Sequence, residues 1–235
     1  MGYLYRKDRN DKKGKWSDVF KVLTLFVVGF LAFRWILWEP FVIPSGSMKE
    51  TLLIQDYVIV KKHAYGVRLP FTKNWLLGPY TPERGDIVVF KSVDDESGHV
   101  LVKRVIGLPG DQILIDEKGF IQVNDTPFVY QEVDSSDEVF KVYEEDNGVK
   151  RYRVQFSAEI EQATYDIKVP EGQIFMMGDN RNFSADSRFW GSLPLERIMG
   201  KLTMVWISCE ESDSYSSFVC PLKDIRKDRL FKSMD

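Results

Sequence analysis

The chain has 235 residues, of which 44% are hydrophobic and 29% charged, and its formal net charge is -3. These fractions are those of an ordinary folded protein and exclude a largely disordered chain, and the length fits one domain with appendages. No basic stripe interleaved with aromatic residues runs along the sequence, which argues against nucleic acid as a partner.

The first predicted element is an apolar segment at 22–38, in which Arg34 is the single charge. A membrane-spanning helix needs about 20 apolar residues, and Arg34 can reach the interface, where Trp35 and Trp38 form an aromatic belt. A buried core helix and a cleaved signal peptide are the alternatives. The segment has no polar face before Arg34, and bulky residues follow it instead of a small-residue cleavage site. An uncleaved membrane anchor is therefore favoured.

Charge on either side of this segment predicts its orientation. Basic residues outnumber acidic ones before it, namely Arg6, Lys7, Arg9, Lys12, Lys13, Lys15 and Lys21 against Asp8, Asp11 and Asp18. By the positive-inside rule, residues 1–21 stay in the cytoplasm. No later stretch is apolar enough to cross back, so a single pass exports everything after the segment.

Two cysteines, Cys209 and Cys220, fall in the exported part. An oxidising compartment allows them to pair, and two free buried thiols are the alternative. The polar stretch between them favours pairing. Neither cysteine belongs to a metal-ligand pattern, so no metal site is predicted.

The exported part reads as β-structure. Short runs bounded by Gly, Pro, Asn or Asp lie at 57–62, 86–92, 99–107, 112–116, 120–124, 139–145, 150–156, 165–169, 173–177 and 201–208. Such runs predict strands, with tight turns at 146–148 and 117–119. The charge-rich segment 111–170 is predicted to be an inserted β-subdomain. In the tail, 222–234 alternates basic and apolar residues, which predicts a short surface helix, and a solvated tail is favoured over a membrane contact.

The segment directly after the apolar run reads Pro-Ser-Gly-Ser-Met, from Pro44 to Met48. Gly46 frees the backbone between two hydroxyls, and a serine on a tight turn can supply both a nucleophile and its own N–H. On their own, these residues fit a flexible loop better than a catalytic turn.

A serine nucleophile needs a base, and alternation along 99–107 suggests one. Leu101, Lys103 and Val105 share one face of the predicted strand, while Val102 and Arg104 share the other, so one cation must have apolar neighbours. Burial lowers the pKa of a lysine, and a neutral lysine is a competent general base. Arginine does not lose its proton at neutral pH.

The chain has two histidines as further candidate bases. His63 lies among lysines in a loop-like context, and His99 lies at the start of a predicted strand. Surface positions are favoured for both over a histidine-based triad. Spacing alone, however, does not select Lys103.

A third polar segment spans 178–188, between a predicted strand and two aromatic residues. It fits a long turn whose Asn, Asp and Ser side chains satisfy one another. It also fits a loop in which a hydroxyl orients the lysine and Asp186 and Arg188 form a bracing ion pair. The sequence leaves both interpretations open.

Together these segments resemble the type I signal peptidase family of bacteria, which shares its Ser-Lys chemistry and core fold with LexA-type self-cleaving repressors. The matching residues occur in order at 44–48, 51–53, 84–90, 103–111, 178–181 and 184–188. The resemblance implies a mainly β fold in which a transmembrane helix at 22–38 precedes an antiparallel β-sheet catalytic domain. That domain comprises 39–110 and 171–208, with 111–170 inserted and 209–235 as a tail.

The resemblance also implies roles for individual residues. Ser47 is the expected nucleophile, Lys103 its general base and Ser184 the hydroxyl that orients the lysine. The Ser45 hydroxyl and the Ser47 N–H are the expected oxyanion hole. The expected supporting residues are Asp179, Asp186 and Arg188. The positions that match the lining of shallow substrate pockets are Ile43, Pro44, Met48, Leu52, Leu101 and Val102.

The implied activity is a membrane-bound endopeptidase that removes signal peptides from exported preproteins after Ala-x-Ala-like sites, without cofactor or metal. Its partners would be those signal peptides, the lipid bilayer and a nearby secretion translocase. It would lie in the bacterial cytoplasmic membrane with its catalytic domain outside. A LexA-like autoprotease and a non-enzymatic anchored β-module are the alternatives. Glu50 departs from the family, which usually has proline there. It is expected to face solvent, whereas a position close to Lys103 would raise the pKa of the lysine and weaken the base.

Overall fold

The computed structural model describes residues 11–69, 72, 74–93, 99–133, 139–161, 163–210 and 220–234. The chain forms two units, Met1–Leu37 and Trp38–Asp235. The first contains helix α1 (Asp11–Leu37), and the second contains the strands.

Helix α1 begins well before the apolar run and ends one residue short of it, because Trp38 already belongs to the first strand. Every side chain from 16 to 30 is exposed, including large apolar ones such as Phe26 at 71%. The side chains of Arg34 and Trp35 lie outside the described part. Among the described residues, no helix is both long enough and apolar enough to count as a membrane-spanning segment.

The second unit is mainly β with antiparallel strand pairs, which confirms the β part of the predicted fold class. The described strands are β1 (Trp38–Val42), β2 (Asp56–Lys61), β3 (Val67–Arg68), β4 (Trp75–Leu77), β5 (Ile87–Lys91), β6 (Val100–Gly107), β7 (Gln112–Ile115), β8 (Ile121–Val123), β9 (Thr126–Pro127), β10 (Val129–Val133), β11 (Phe140–Asp146), β12 (Arg151–Ser157), β13 (Tyr165–Lys168), β14 (Gln173–Met177), β15 (Leu193–Pro194), β16 (Ile198–Ser208) and β17 (Lys232–Ser233). A short helix, α2 (Ser187–Trp190), follows β14.

The largest sheet has the order β1-β2-β16-β5-β6-β14-β15, and β17 pairs with β16. Its middle strand β5 shows why the sequence forms it. Ile87 and Val89 pack in one apolar cluster, here called the first core cluster, while Val88 and Phe90 pack in a second core cluster on the other face. A strand buried on both faces carries a continuous apolar run, as β5 does.

The segment 111–170 supplies two smaller sheets, with the orders β13-β7-β8-β9 and β10-β11-β12. The predicted turn at 146–148 joins β11 to β12. Asp146 accepts a hydrogen bond from the Gly148 N–H, and Asn147 accepts two, from Val149 and Lys150. Gly148 has a φ of 80°, a conformation that glycine adopts without strain. This turn sets the register of the hairpin.

The surface helix predicted at 222–234 is wrong. This segment forms two short 3-10 turns, Leu222–Asp224 and Lys227–Arg229, before β17. Arg229 is buried with its Nε 3.2 Å from a carboxylate oxygen of Asp56, and a disulfide joins Cys209 to Cys220. One basic residue of this segment is thus buried in an ion pair, and the end of the segment pairs as a strand. The alternating basic and apolar residues therefore do not form the two faces of a helix.

Candidate active site

Ser47 lies in a 3-10 turn, Gly46–Met48, that follows β1. The turn is anchored on both sides, because Ile43 and Met48 are only 3% and 1% exposed and belong to the first core cluster. Ser47 itself stays partly exposed. The core therefore holds this turn in place while leaving its hydroxyl within reach of solvent.

Lys103 meets this hydroxyl from β6, where it pairs with Val88 of β5. Its Nζ donates to Ser47 Oγ over 2.6 Å, and the residue is only 3% exposed. Burial lowers the pKa of Lys103 to about 8, although Asp186 and then Asp179 act in the opposite direction. With that pKa, about one tenth of the lysine is neutral at pH 7. The structure thus joins a hydroxyl to an amine that can act as a base.

The positions expected to line substrate pockets lie on both faces of the main sheet. Ile43, Met48 and Leu52 are buried in the first core cluster, and Val102 packs against it. Leu101 packs against the second core cluster, as alternation along β6 predicts. The sixth position, Pro44, is exposed. Three of the six are thus core residues as well as candidate pocket residues.

Arg104 is buried and makes a bidentate ion pair with Asp179, at 2.8 Å and 2.6 Å. It also donates to the carbonyl of Gly85, and Thr51 Oγ1 donates to the same Asp179 carboxylate. Sequence reasoning considered Arg104 only as a rival base. The one available sign of its role was that adjacent side chains on a strand point to opposite faces, so that Arg104 and Lys103 would contact different partners.

The loop at 178–188 is held by Asp186, which is fully buried. Its carboxylate accepts the Gly178 N–H at 3.0 Å and forms the expected ion pair with Arg188, whose Nε lies 2.8 Å away. Asp186 is also the N-cap of α2. One carboxylate therefore closes both ends of the loop that faces Lys103.

Ser184 is buried, and its Oγ has no hydrogen-bond partner among the described residues. The hydrogen bond to Lys103 expected from the resemblance is thus not formed in this structure. A methyl group at Gly178 would collide with both Ser184 Oγ and the carbonyl oxygen of Ser47. Because Gly178 has no side chain, Ser184 can pack closely against the turn that carries Ser47. On the same turn, Ser45 Oγ lies 3.5 Å from Ser47 Oγ.

Two contacts of this loop were missed from the sequence. Asn180 binds the turn at Ser47 through its backbone and its side chain. Arg181 Nη2 lies 2.6 Å from Glu145 Oε2, and both side chains are fully buried. No side-chain N–H of Arg181 is aligned for a hydrogen bond within the described residues, so charge attraction holds the pair. Glu145 is one of several acids in β11, and nothing in its spacing marks it.

Glu50 follows this turn with a φ of 83°. Proline cannot adopt that angle, so the proline expected from the resemblance would not fit the backbone of this turn. Glu50 is half-buried and lines a cavity of about 650 Å³ with Arg153 and Lys232. The acids that raise the pKa of Lys103 are Asp186 and Asp179.

The remaining candidates are placed as follows. The ring of His63 contacts Trp38 edge-on, with 6.3 Å between centroids. Over the described ranges, no three His, Cys, Asp or Glu side chains are grouped to hold a metal ion. The groups in contact with Ser47 Oγ are the Ser45 hydroxyl and the Lys103 amine.

Comparison with known proteins identifies the family of this chain. The family model described as signal peptidase, peptidase S26, matches residues 16–207. Signal peptidase I of Pseudomonas aeruginosa is 37% identical, over 78% of this chain and 69% of its own. That of Buchnera aphidicola subsp. Schizaphis graminum is 34% identical, over 81% and 75%. A crystal structure of a signal peptidase I from Enterococcus faecalis is 27% identical over 52% of this chain and 97% of its own, with a TM-score of 0.35. The chain therefore belongs to the signal peptidase family, peptidase S26, and is a serine peptidase.

Proposed function

We propose that the protein removes N-terminal signal peptides from exported preproteins, cutting after Ala-x-Ala-like sites with a Ser47–Lys103 dyad. The observation that carries this proposal is the 2.6 Å hydrogen bond between Lys103 Nζ and Ser47 Oγ. A general base must lie within hydrogen-bond reach of the proton it removes and have a pKa near the working pH. Lys103 meets both conditions, because burial lowers its pKa to about 8.

In the acylation step, neutral Lys103 takes the proton of Ser47, and Oγ attacks the carbonyl carbon of the scissile peptide. The Ser47 N–H and the Ser45 hydroxyl stabilise the resulting oxyanion. The tetrahedral intermediate then collapses, and the Lys103 ammonium donates its proton to the leaving amine. The mature protein departs with a free N-terminus, and the signal peptide remains as an ester on Ser47.

In the deacylation step, Lys103 takes a proton from water, and the hydroxide oxygen attacks the ester. Ser47 regains its proton from Lys103, and the signal peptide leaves as a carboxylic acid, which releases its proton to solvent. The lysine must therefore be both base and acid. Asp186 and Asp179 support this by opposing the effect of burial on its pKa. The Ser184 hydroxyl, which has no hydrogen-bond partner among the described residues, can accept a hydrogen bond from the ammonium.

The packing around the turn supports the proposed preference for small side chains. Ile43, Met48 and Leu52 are at most 3% exposed and close-packed with the first core cluster. Close-packed interiors leave few voids, so any pocket formed against these residues is shallow. Alanine fits such a pocket, whereas a large side chain does not.

Helix α1 is the proposed membrane anchor. Its apolar side chains between 16 and 30 are exposed, and the basic residues before the run favour a cytoplasmic N-terminus. The catalytic unit then lies on the periplasmic or extracellular side, next to the bilayer and near the translocase. Alkaline extraction should leave the chain in the membrane pellet, and protease added outside spheroplasts should reach the catalytic unit. Extraction with the soluble proteins would refute the anchor.

The activity is tested with the full chain in detergent micelles and a preprotein that carries an Ala-x-Ala site. The wild type should cut after that site, and Ser47→Ala and Lys103→Ala should each abolish cutting. Lys91→Ala is the matched control, since Lys91 is an exposed lysine on the neighbouring strand β5. Wild-type protein that leaves such preproteins intact would favour the binding-module alternative. An active Lys103→Ala variant would disprove the lysine mechanism.

A further inference from the structure

One residue, Asn180, contacts both peptide units that flank Ser47. Its side-chain Nδ2 donates to the carbonyl oxygen of Gly46 over 3.1 Å, and its backbone N–H donates to the carbonyl oxygen of Ser47 over 3.2 Å. The first of these carbonyls belongs to the same peptide unit as the Ser47 N–H. Asn180 is therefore bonded to the unit that contains the proposed oxyanion donor.

A peptide unit is planar and trans, so its C=O and N–H point in opposite directions. A donor fixed on Gly46 O consequently directs the Ser47 N–H away from Asn180 and stops the unit from rotating. A hydrogen bond accepted at the carbonyl also polarises the unit and strengthens its N–H as a donor. We infer that Asn180 is a positioning residue for the oxyanion hole, which aligns the Ser47 N–H through the Gly46 carbonyl; this inference rests on the proposed function.

The residue is itself held firmly enough to serve this purpose. Its neighbours pair with Gln155 of β12, where the Gln155 N–H donates to Asp179 O and the Arg181 N–H donates to Gln155 O. The flanking Asp179 and Arg181 side chains are held in buried ion pairs. The inserted segment therefore supports the loop on which Asn180 lies, and this is one role for that segment.

The burial and hydrogen bonding of the Asn180 side chain favour a functional role over a purely structural one. Asn180 is 7% exposed, and its Oδ1 is buried with no hydrogen-bond partner among the described residues. A buried amide oxygen that lacks a partner destabilises the fold, so an amide is a poor choice for a turn residue alone. The bond from Nδ2 to Gly46 gives this position a reason to carry an amide.

The test uses the full chain in detergent with the Ala-x-Ala preprotein. In Asn180→Ala and Asn180→Asp, we expect kcat to fall about 10- to 100-fold, with KM changed less than about threefold, because an oxyanion donor acts in the transition state. Asn180→Asp keeps the size of the side chain but turns an acceptor towards Gly46 O. Asn147→Ala is the matched control, since Asn147 is an equally buried asparagine, 8% exposed, in the β11–β12 turn. This control should keep its kcat.

A pair of inhibitors separates positioning from a general loss of structure. A peptide aldehyde ending in Ala-x-Ala forms an adduct with Ser47 that places an oxyanion in the hole, whereas the matching peptide alcohol does not. Asn180→Ala should lose aldehyde affinity by about the same factor as kcat and keep its affinity for the alcohol. The inference is wrong if kcat is retained, if both affinities fall equally, or if Asn147→Ala behaves in the same way. Failure of the proposed function is distinct, because the wild type would then be inactive.

Discussion

Replacing Lys103 with methionine should stabilise the protein at neutral pH and remove a specific pH dependence. Methionine has a similar length but no charge to desolvate. In the native state, Lys103 is 3% exposed and its pKa falls from 10.5 to about 8, chiefly because of burial. This difference corresponds to about 3 kcal/mol at pH values below both pKa values. The variant also loses the bond to Ser47, worth about 1 kcal/mol.

The direction of this pH dependence follows from the number of protons bound by the folded and unfolded chains. Between pH 8 and 10.5 the unfolded chain keeps the proton of Lys103 while the folded chain has lost it, so the free energy of unfolding rises with pH. From pH 7 to pH 10 this contribution grows by about 2.5 kcal/mol in the wild type and is absent from the variant. Lys103→Met should therefore be about 2 kcal/mol more stable than wild type at pH 7 and about equally stable at pH 10.

Urea unfolding of the full chain in detergent, followed by tryptophan fluorescence at both pH values, measures this difference. Other groups that titrate between pH 7 and 10 affect both proteins and cancel. Lys91→Met serves as the control, because this exposed lysine should give the same difference at both pH values. A stability difference for Lys103→Met that does not change with pH would refute the argument that burial governs this lysine. The same lysine should make kcat/KM rise with pH through about 8, whereas a histidine base would give a midpoint near 6.5.

Three further substitutions test other parts of the site. Glu145→Gln leaves the buried guanidinium of Arg181 without a counter-charge and should lower the free energy of unfolding by about 3 to 5 kcal/mol in urea titrations, and a cost below about 1 kcal/mol would mean that the pair is unimportant. Gly178→Ala should reduce kcat/KM at least about 100-fold, since its methyl group displaces the Ser47 turn; near-normal turnover would contradict the packing found there. Arg229→Gln leaves a buried aspartate unpaired and should cost about 3 to 5 kcal/mol in the same titrations, whereas an unchanged midpoint would show that the tail is dispensable.

The sequence predicted the strands best where one or both faces are buried. Alternation along β6 and the continuous apolar run of β5 were sufficient to predict these two strands, because burial imposes those patterns. Strand β1 was missed, since the apolar run passes from helix α1 into it without interruption. Its beginning at Trp38 coincides with antiparallel pairing to β2, with Phe41 opposite Val58. Periodicity cannot mark a boundary that depends on a partner strand.

The candidate site likewise has features that the sequence predicted and features that it did not. The sequence by itself determined that a Ser-Gly-Ser turn follows an apolar segment, that Lys103 and Arg104 must face opposite ways, and that the ordered motifs match a Ser-Lys family. Only the tertiary structure decided that Lys103 Nζ meets Ser47 Oγ, residues that are far apart in the chain. It also decided that Asn180 holds the turn and that Arg181 is paired with Glu145. The physical reason is that a lysine's pKa and a peptide's orientation depend on burial and on neighbours that folding brings together, and local sequence specifies neither.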